Sequence, residues 1–266
     1  MRINIALGMT QDWFDFARVT VGSILANARL EDEYHFYIMS NGFCEYDKKI
    51  FTSLIKMRPD LPTVEFEFLL IDDSYFEGAI HDWLGVSSSY RLRLASLVQE
   101  SKILYLDSDI VANQDISTLY QTDVSNYYLA AVEDKCSNLM KSRVNLSDEE
   151  IFFNGGVQLI NLDKFREDNL EEIIMKKLKS SSYYTDQDVI NDVCRGKILS
   201  LPLKYNIMPC PENYNSRKDE FNSAIENPVL IHFTNKPWLG SNCKHANLWM
   251  HYKMMVNRIK IKLETN

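Results

Sequence analysis

Between residues 2 and 106 the chain repeats one pattern: a short, near-continuously apolar segment, then a longer one with apolar residues at helical spacing. Residues 2–7, 34–39, 64–71 and 103–106 read as strands. Phe16, Val19, Ser23, Ile24 and Ala28 share one face of a predicted helix over residues 15–28, and Ile50, Leu54 and Met57 mark a second that stops before Pro59. Residues 90–98 read as a third helix. Strands apolar on both faces and separated by helices predict an α/β fold, with a mostly parallel central sheet flanked by helices. Ligands of such sheets bind at the carboxyl ends of the strands.

Beyond residue 120 the pattern loosens. Residues 128–132, 156–162 and 228–233 are strand candidates, and residues 163–178 and 186–194 are helix candidates. There is no internal repeat and no low-complexity linker. A formal net charge of −8 argues against nucleic acid as a partner. No apolar run approaches the ~20 residues of a membrane span, and the apolar start of the chain is too short for a signal peptide, so a cytoplasmic location is expected. The five cysteines, Cys44, Cys136, Cys194, Cys210 and Cys243, lack metal or redox spacing and read as reduced thiols. Near the C-terminus, Lys253, Arg258, Lys260 and Lys262 alternate with Met254, Met255, Val256, Ile259, Ile261 and Leu263. That pattern fits a terminal helix with a solvated face, or a basic amphipathic anchor at a membrane surface.

The chemically informative stretch is Lys102-Ile103-Leu104-Tyr105-Leu106-Asp107-Ser108-Asp109. A buried-type strand ends in two carboxylates one residue apart, which an extended backbone turns to the same side. Two anions that close repel unless a cation lies between them, and carboxylate oxygens suit Mg2+, Mn2+ or Ca2+. Haloacid-dehalogenase-type phosphatases also end an apolar strand in Asp-x-Asp, but near the start of the domain. Here about a hundred residues precede the pair, and no later Asp-Asp pair ends an apolar strand. A dinucleotide oxidoreductase is disfavoured because no G-x-G-x-x-G follows the first strand. His232 closes the apolar segment Val229-Leu230-Ile231, so its ring can reach the same sheet edge. Two carboxylates plus an imidazole move the expected metal from Mg2+ toward Mn2+.

Five short motifs, in order, carry a resemblance: Tyr90-Arg91-Leu92; Leu104 to Asp109; Phe153-Asn154-Gly155-Gly156-Val157; Asp186-Gln187-Asp188-Val189-Ile190-Asn191; and His232-Phe233-Thr234 with Lys236-Pro237-Trp238. Together they resemble glycosyltransferase family 8, whose members are retaining enzymes of GT-A fold, among them lipopolysaccharide galactosyl- and glucosyltransferases and glycogenins. The resemblance implies one GT-A catalytic domain over residues 1–250, with a nucleotide-binding half to residue 120 and a sugar and acceptor half beyond, then a basic tail over 251–266. It implies a metal held by Asp107, Asp109 and His232. Donor contacts are implied for Ala6, Thr10, Arg91, Asp107, Ser108, Asp134, Asn154, Asp186, Gln187 and Lys236, and catalytic roles for Gln187, Asp188 and Lys236. The partners implied are a UDP-sugar donor and an oligosaccharide or glycolipid acceptor; peripheral contact of the tail with the inner face of the cytoplasmic membrane stays one of the two readings of its own pattern. A catalytically inactive sugar-nucleotide-binding relative is the other reading. From local chemistry alone, Asn154-Gly155-Gly156 reads as a turn, and one aspartate of Asp186-Gln187-Asp188 as a helix N-cap. The chain departs from the family at Gly8, where an aspartate that contacts uracil is usual, and at Thr10, where asparagine is usual; Gln11 or Asp12 is then expected to take over.

Overall fold

The computed structural model describes residues 1–79, 85–134, 140–180, 185–209, 218–240 and 243–264. Strands β1 (Arg2–Gly8), β2 (Glu33–Ser40) and β3 (Val64–Leu70) alternate with helices α1 (Phe14–Ala26) and α2 (Glu45–Ser53). The short α3 (Leu94–Leu97) leads into β4 (Lys102–Leu106), β5 (Ile110–Ala112), α4 (Ser117–Tyr120) and β6 (Leu129–Glu133). Then come β7 (Phe153–Asn161), α5 (Leu162–Glu167), α6 (Leu170–Ser180), α7 (Asp186–Val193) and β8 (Ile198–Ser200). Helix α8 (Lys218–Glu226), β9 (Leu230–His232) and α9 (Ala246–Glu264) complete the order. Among the described residues the main sheet runs β3-β2-β1-β4-β7-β6-β8, and β5 pairs with β9 in a small second sheet.

The first four strands of the main sheet are mutually parallel, as the alternation predicts. Strand β7 is the exception, antiparallel to both β4 and β6. Three expectations give way here. Asn154-Gly155-Gly156 lies inside β7 rather than in a turn, because Gly155 and Gly156 are where side chains from other elements press against the strand. Residues 86–93 form a 3-10 segment that becomes helical only at Leu94, so the predicted 90–98 helix is shorter and tighter. The predicted 163–178 helix is two, broken where Asn169 adopts a left-handed backbone at φ 51°.

Helix α9 begins at Ala246, so residues 251–264 are a continuation of it. It is seated on α1: a Cβ on Gly22 would lie 2.4 Å from Val256 Cγ1, so glycine is what lets the two helices approach. Trp249, fully buried, has its ring 4.4 Å from Trp238 and 6.0 Å from Phe16. Burying side chains of this size is worth about 2–3 kcal/mol each. The opposite face leaves Met250, Met254 and Ile261 exposed. No helix among the described residues is long and apolar enough to cross a membrane.

Of the cysteines, Cys44 is exposed, Cys243 half-buried and Cys194 buried, all as free thiols, while Cys136 and Cys210 lie outside the described residues. Burial pushes the Cys194 thiol up to about 12. An unfolded chain ionises it near ~8.5, so above that pH the native state holds more protons than the unfolded one and stability falls. Urea titrations from neutrality to about pH 10 are expected to show a slope of at most about 1.4 kcal/mol per pH unit from this group. Cys194→Ala should remove it. An identical pH slope in both proteins would show that Cys194 ionises alike in the folded and unfolded states.

Candidate active site

Backbone pairing brings three distant side chains together. Strand β4 ends at Leu106, and the Asp107 N–H continues its ladder by donating to Gly156 O at 2.9 Å. The chain turns through Ser108 and Asp109 into β5, whose register sets Ile110 opposite His232 on β9. The Phe233 N–H then donates to Asp109 O at 3.0 Å. His232 Nε2 consequently lies 3.2 Å from Asp109 Oδ1 and 3.8 Å from Asp107 Oδ2. One ligand atom from each of the three residues falls within 4.8 Å of the other two.

Two hard oxygens and one imidazole nitrogen at this separation fit a divalent cation, and the buried pair Asp109 and His232 form the inner wall. The Lys236 ammonium pairs closely with Asp109 Oδ2. Burial pushes the Asp109 carboxyl up, but a His232 ring carrying both its protons and the Lys236 ammonium together outweigh it and hold it well below the usual carboxylate range. Gly156 is part of the same fit. A Cβ there would lie 2.3 Å from His232 Cε1 and 3.0 Å from Asp107 Oδ2.

Arg91 is buried beside the acidic cluster. Its Nε donates to Asp186 Oδ2 at 2.7 Å and to Ser88 O at 2.9 Å, Nη1 donates to Gly155 O, and Nη1 stands 3.8 Å from Asp107 Oδ1. Burial would lower the guanidinium, but the carboxylates of Asp186 and Asp107 more than reverse it. For Asp186 burial dominates, leaving its carboxyl above the usual range with Arg91 offsetting part of the effect. Arg91 thus braces Asp107 from behind while neutralising a buried acid; removing one member of such a pair costs about 3–5 kcal/mol.

A second polar group joins β7 to the start of α7. Asp134 Oδ2 accepts from Asn154 Nδ2 at 2.8 Å and from Gln187 Nε2 at 3.2 Å, while Gln187 Oε1 accepts the Gly155 N–H at 2.7 Å. Asn191 fastens this end of α7 to β7 by exchanging bonds with the Phe153 backbone. The N-cap of α7 is Thr185 rather than an aspartate. Thr185 Oγ1 accepts the Asp188 N–H at 3.1 Å, and Asp188 Oδ2 accepts the Thr185 N–H at 3.0 Å, a reciprocal capping box. Asp188 is 1% exposed, and its carboxylate closes the capping box at the helix start.

A cleft of about 200 Å3 adjoins the acidic pair, lined by Gly8, Met9, Trp13, Ser87, Ser88, Tyr105, Asp107, Ser108 and Asp109. A larger cavity of about 520 Å3, against Tyr75, Phe165 and Met175, contains none of the site residues. Convergent charge rather than volume therefore locates the chemistry. Ala6 is fully buried in β1 and does not line the cleft. Thr10 caps the 3-10 turn at Gln11–Trp13 through its carbonyl, and neither it, Gln11 nor Asp12 lines the cleft. Trp13, which the sequence reading passed over, does. Its ring lies 5.4 Å from Lys236 Nζ and 6.2 Å from the Trp238 ring. The sequence clue was an aromatic residue just after the first strand, at the sheet's carboxyl edge. Asn206, also missed, is fully buried against His232.

Residues 4–242 match the profile of glycosyl transferase family 8. The chain is a family 8 glycosyltransferase. Among its relatives, general stress protein A of Bacillus subtilis (strain 168) is 27% identical, over 86% of this chain and 85% of that one. Lipopolysaccharide 1,2-glucosyltransferase of Escherichia coli (strain K12) is 29% identical, over 89% and 72%. The solved galactosyltransferase LgtC, in complex with donor and acceptor sugar analogues, superposes with TM-score 0.78 at 21% identity, covering 96% of each chain. The WbbM bifunctional glycosyltransferase gives TM-score 0.83 at 20% identity, but this chain covers 51% of its length. The family 8 enzyme therefore has the GT-A fold, and the phosphatase alternative is set aside.

Proposed function

We propose that this glycosyltransferase moves a hexose, glucose or galactose, from a UDP-sugar to a bacterial surface glycan, lipopolysaccharide or a similar oligosaccharide or glycolipid, retaining the anomeric configuration and so forming an α-linkage. The observation that carries the reading is the Asp107, Asp109 and His232 cluster at the sheet edge beside the cleft. These three residues would hold Mn2+, or Mg2+ in its place. The bound cation supplies Lewis-acid charge to a leaving diphosphate.

The protein's own groups do the remainder. Lys236, already at Asp109, adds positive charge where the diphosphate departs. Trp13 offers an aromatic surface for a pyrimidine, in place of the carboxylate missing at Gly8. A side chain at position 8 would crowd Ser87 O at 3.1 Å. The Ser108 hydroxyl, buried and engaged by no described protein group, is a further donor contact. Asp134, Asn154 and Gln187, joined by hydrogen bonds, and Asp186, paired with Arg91, would face the donor sugar. The Gln187 carbonyl oxygen is committed to the Gly155 N–H, which favours front-face attack over a glutamine nucleophile. Exposed Met250, Met254 and Ile261 on α9, interleaved with its basic residues, support contact with the inner face of the cytoplasmic membrane.

Incubation with Mn2+ and a panel of UDP-, GDP- and ADP-sugars, with nucleotide release as readout, tests the proposal. Chelator-sensitive UDP release from UDP-glucose or UDP-galactose is expected even without acceptor. UDP binding with no release from any donor would instead mark a non-catalytic relative.

A further inference from the structure

We propose that Asn206 fixes the tautomer of His232, so that Nε2 is held as a bare lone pair facing Asp107 and Asp109. The inference rests on reading those three residues as a cation site, and makes Asn206 a positioning residue rather than a ligand.

The argument starts at two groups whose hydrogen-bonding sense is unambiguous. A backbone N–H can only donate, and an ionised carboxylate can only accept. The side chain of Asn154 lies between one of each: Gly156 N–H is 2.8 Å from its Oδ1, and Asp134 Oδ2 is 2.8 Å from its Nδ2. Its amide can be turned only one way. Asn154 Oδ1 also meets Asn206 Nδ2 at 2.8 Å, so Asn206 must present its NH2 group to Asn154. That leaves Asn206 Oδ1 toward His232 Nδ1, at 3.1 Å. An amide oxygen only accepts, so Nδ1 carries the hydrogen. In the neutral ring Nε2 is then the acceptor nitrogen, aimed at two carboxylates 3.2 and 3.8 Å away. Three acceptors facing one another are stabilised by a cation between them.

Asn206 has little freedom to do otherwise. It is fully buried and ends the 3-10 turn Leu203–Tyr205. The next residue is tied to β9 on both sides: Ile207 N–H donates to Leu230 O at 3.0 Å, and His232 N–H donates to Ile207 O at 2.9 Å. The same chain of amides reaches Asp134 and Gln187, so the proton position on the imidazole is set from that second polar group.

Nitrogen-15 correlation spectra of the imidazole rings in the wild-type protein, recorded over a pH series, read the tautomer of each neutral ring directly. The His232 signals are those missing from His232→Gln. An Nδ1–H ring is expected; an Nε2–H ring overturns the proposal whether or not the protein binds metal. Mn2+ affinity, followed by the paramagnetic resonance signal of the free ion without donor present, supplies the second readout. Asn206→Leu is expected to weaken Mn2+ binding about 10- to 100-fold. Asn206→Asp, which still accepts from Nδ1–H, is expected to bind Mn2+ at least ten times more tightly than Asn206→Leu. Equal Mn2+ affinity of Asn206→Leu and the wild-type protein overturns the proposal. Failure of the wild-type protein to bind Mn2+ would remove the cation reading instead, with the ring spectra still deciding the tautomer.

Discussion

Asp109→Asn is expected to cut cation-dependent UDP release by about a thousandfold, equivalent to about 4 kcal/mol of transition-state stabilisation, while the fold persists. The amide nearly matches the carboxylate in shape but brings no charge to the buried wall of the site, where His232 Nε2 and the Lys236 ammonium both face it. Asp107→Asn should be milder. Its side chain is 27% exposed, and Arg91 stands behind it. The sign of the pH effect follows from the depressed Asp109 carboxyl. In the metal-free protein its contribution to stability is complete above the unfolded value of ~3.9 and is lost as the pH falls through the lower folded one. The asparagine variant should therefore lose less stability on acidification. Steady-state UDP release beside Mn2+ titration checks the main effect; near-normal Mn2+-dependent turnover in Asp109→Asn would remove that carboxylate from the mechanism.

Gly156→Ala is expected to be nearly as damaging for a steric reason. The new methyl would lie 2.3 Å from His232 Cε1, 2.6 Å from Nδ1 and 3.0 Å from Asp107 Oδ2. None of these is the loose end of a flexible chain, since the ring is fixed by Asn206 and by the β5–β9 pairing. The imidazole must swing out of line, with Mn2+ affinity falling about 10- to 100-fold and stability by about 1–3 kcal/mol. Gly42→Ala is the control. Its nearest neighbour is Gln11 Nε2 at 3.3 Å, a side-chain tip that can move aside, so a change within about 0.5 kcal/mol is expected. Equal behaviour of the two variants in calorimetry and metal titration would refute the steric account.

The first half of the fold was legible because hydrophobic periodicity reports burial on both faces of a strand. The acidic pair was legible for the same reason, since an apolar run that stops at Asp107-Ser108-Asp109 marks a sheet edge. His232 could be placed because it too ends such a run. Periodicity does not carry direction, which is why antiparallel β7 was invisible. Gly155 and Gly156 look like turn residues in isolation; their reason is the approach of Arg91 and His232, two side chains distant in the sequence. Asp186 and Asp188 are both plausible helix-start acids, and only the Thr185 hydroxyl settles that Asp188 belongs to the cap. Asn206 and Trp13 are single residues with no repeat or spacing to announce them. Their roles exist only once the chain is folded.

The register that sets Ile110 opposite His232 also orders events in time. As the polypeptide leaves the ribosome, the two aspartates emerge long before the imidazole that completes their triad. Until β9 docks, the acidic edge lacks the imidazole that completes it. A divalent cation held by all three residues would favour the docked strand over the undocked one, and so would act by mass action as a latch on a nearly completed molecule.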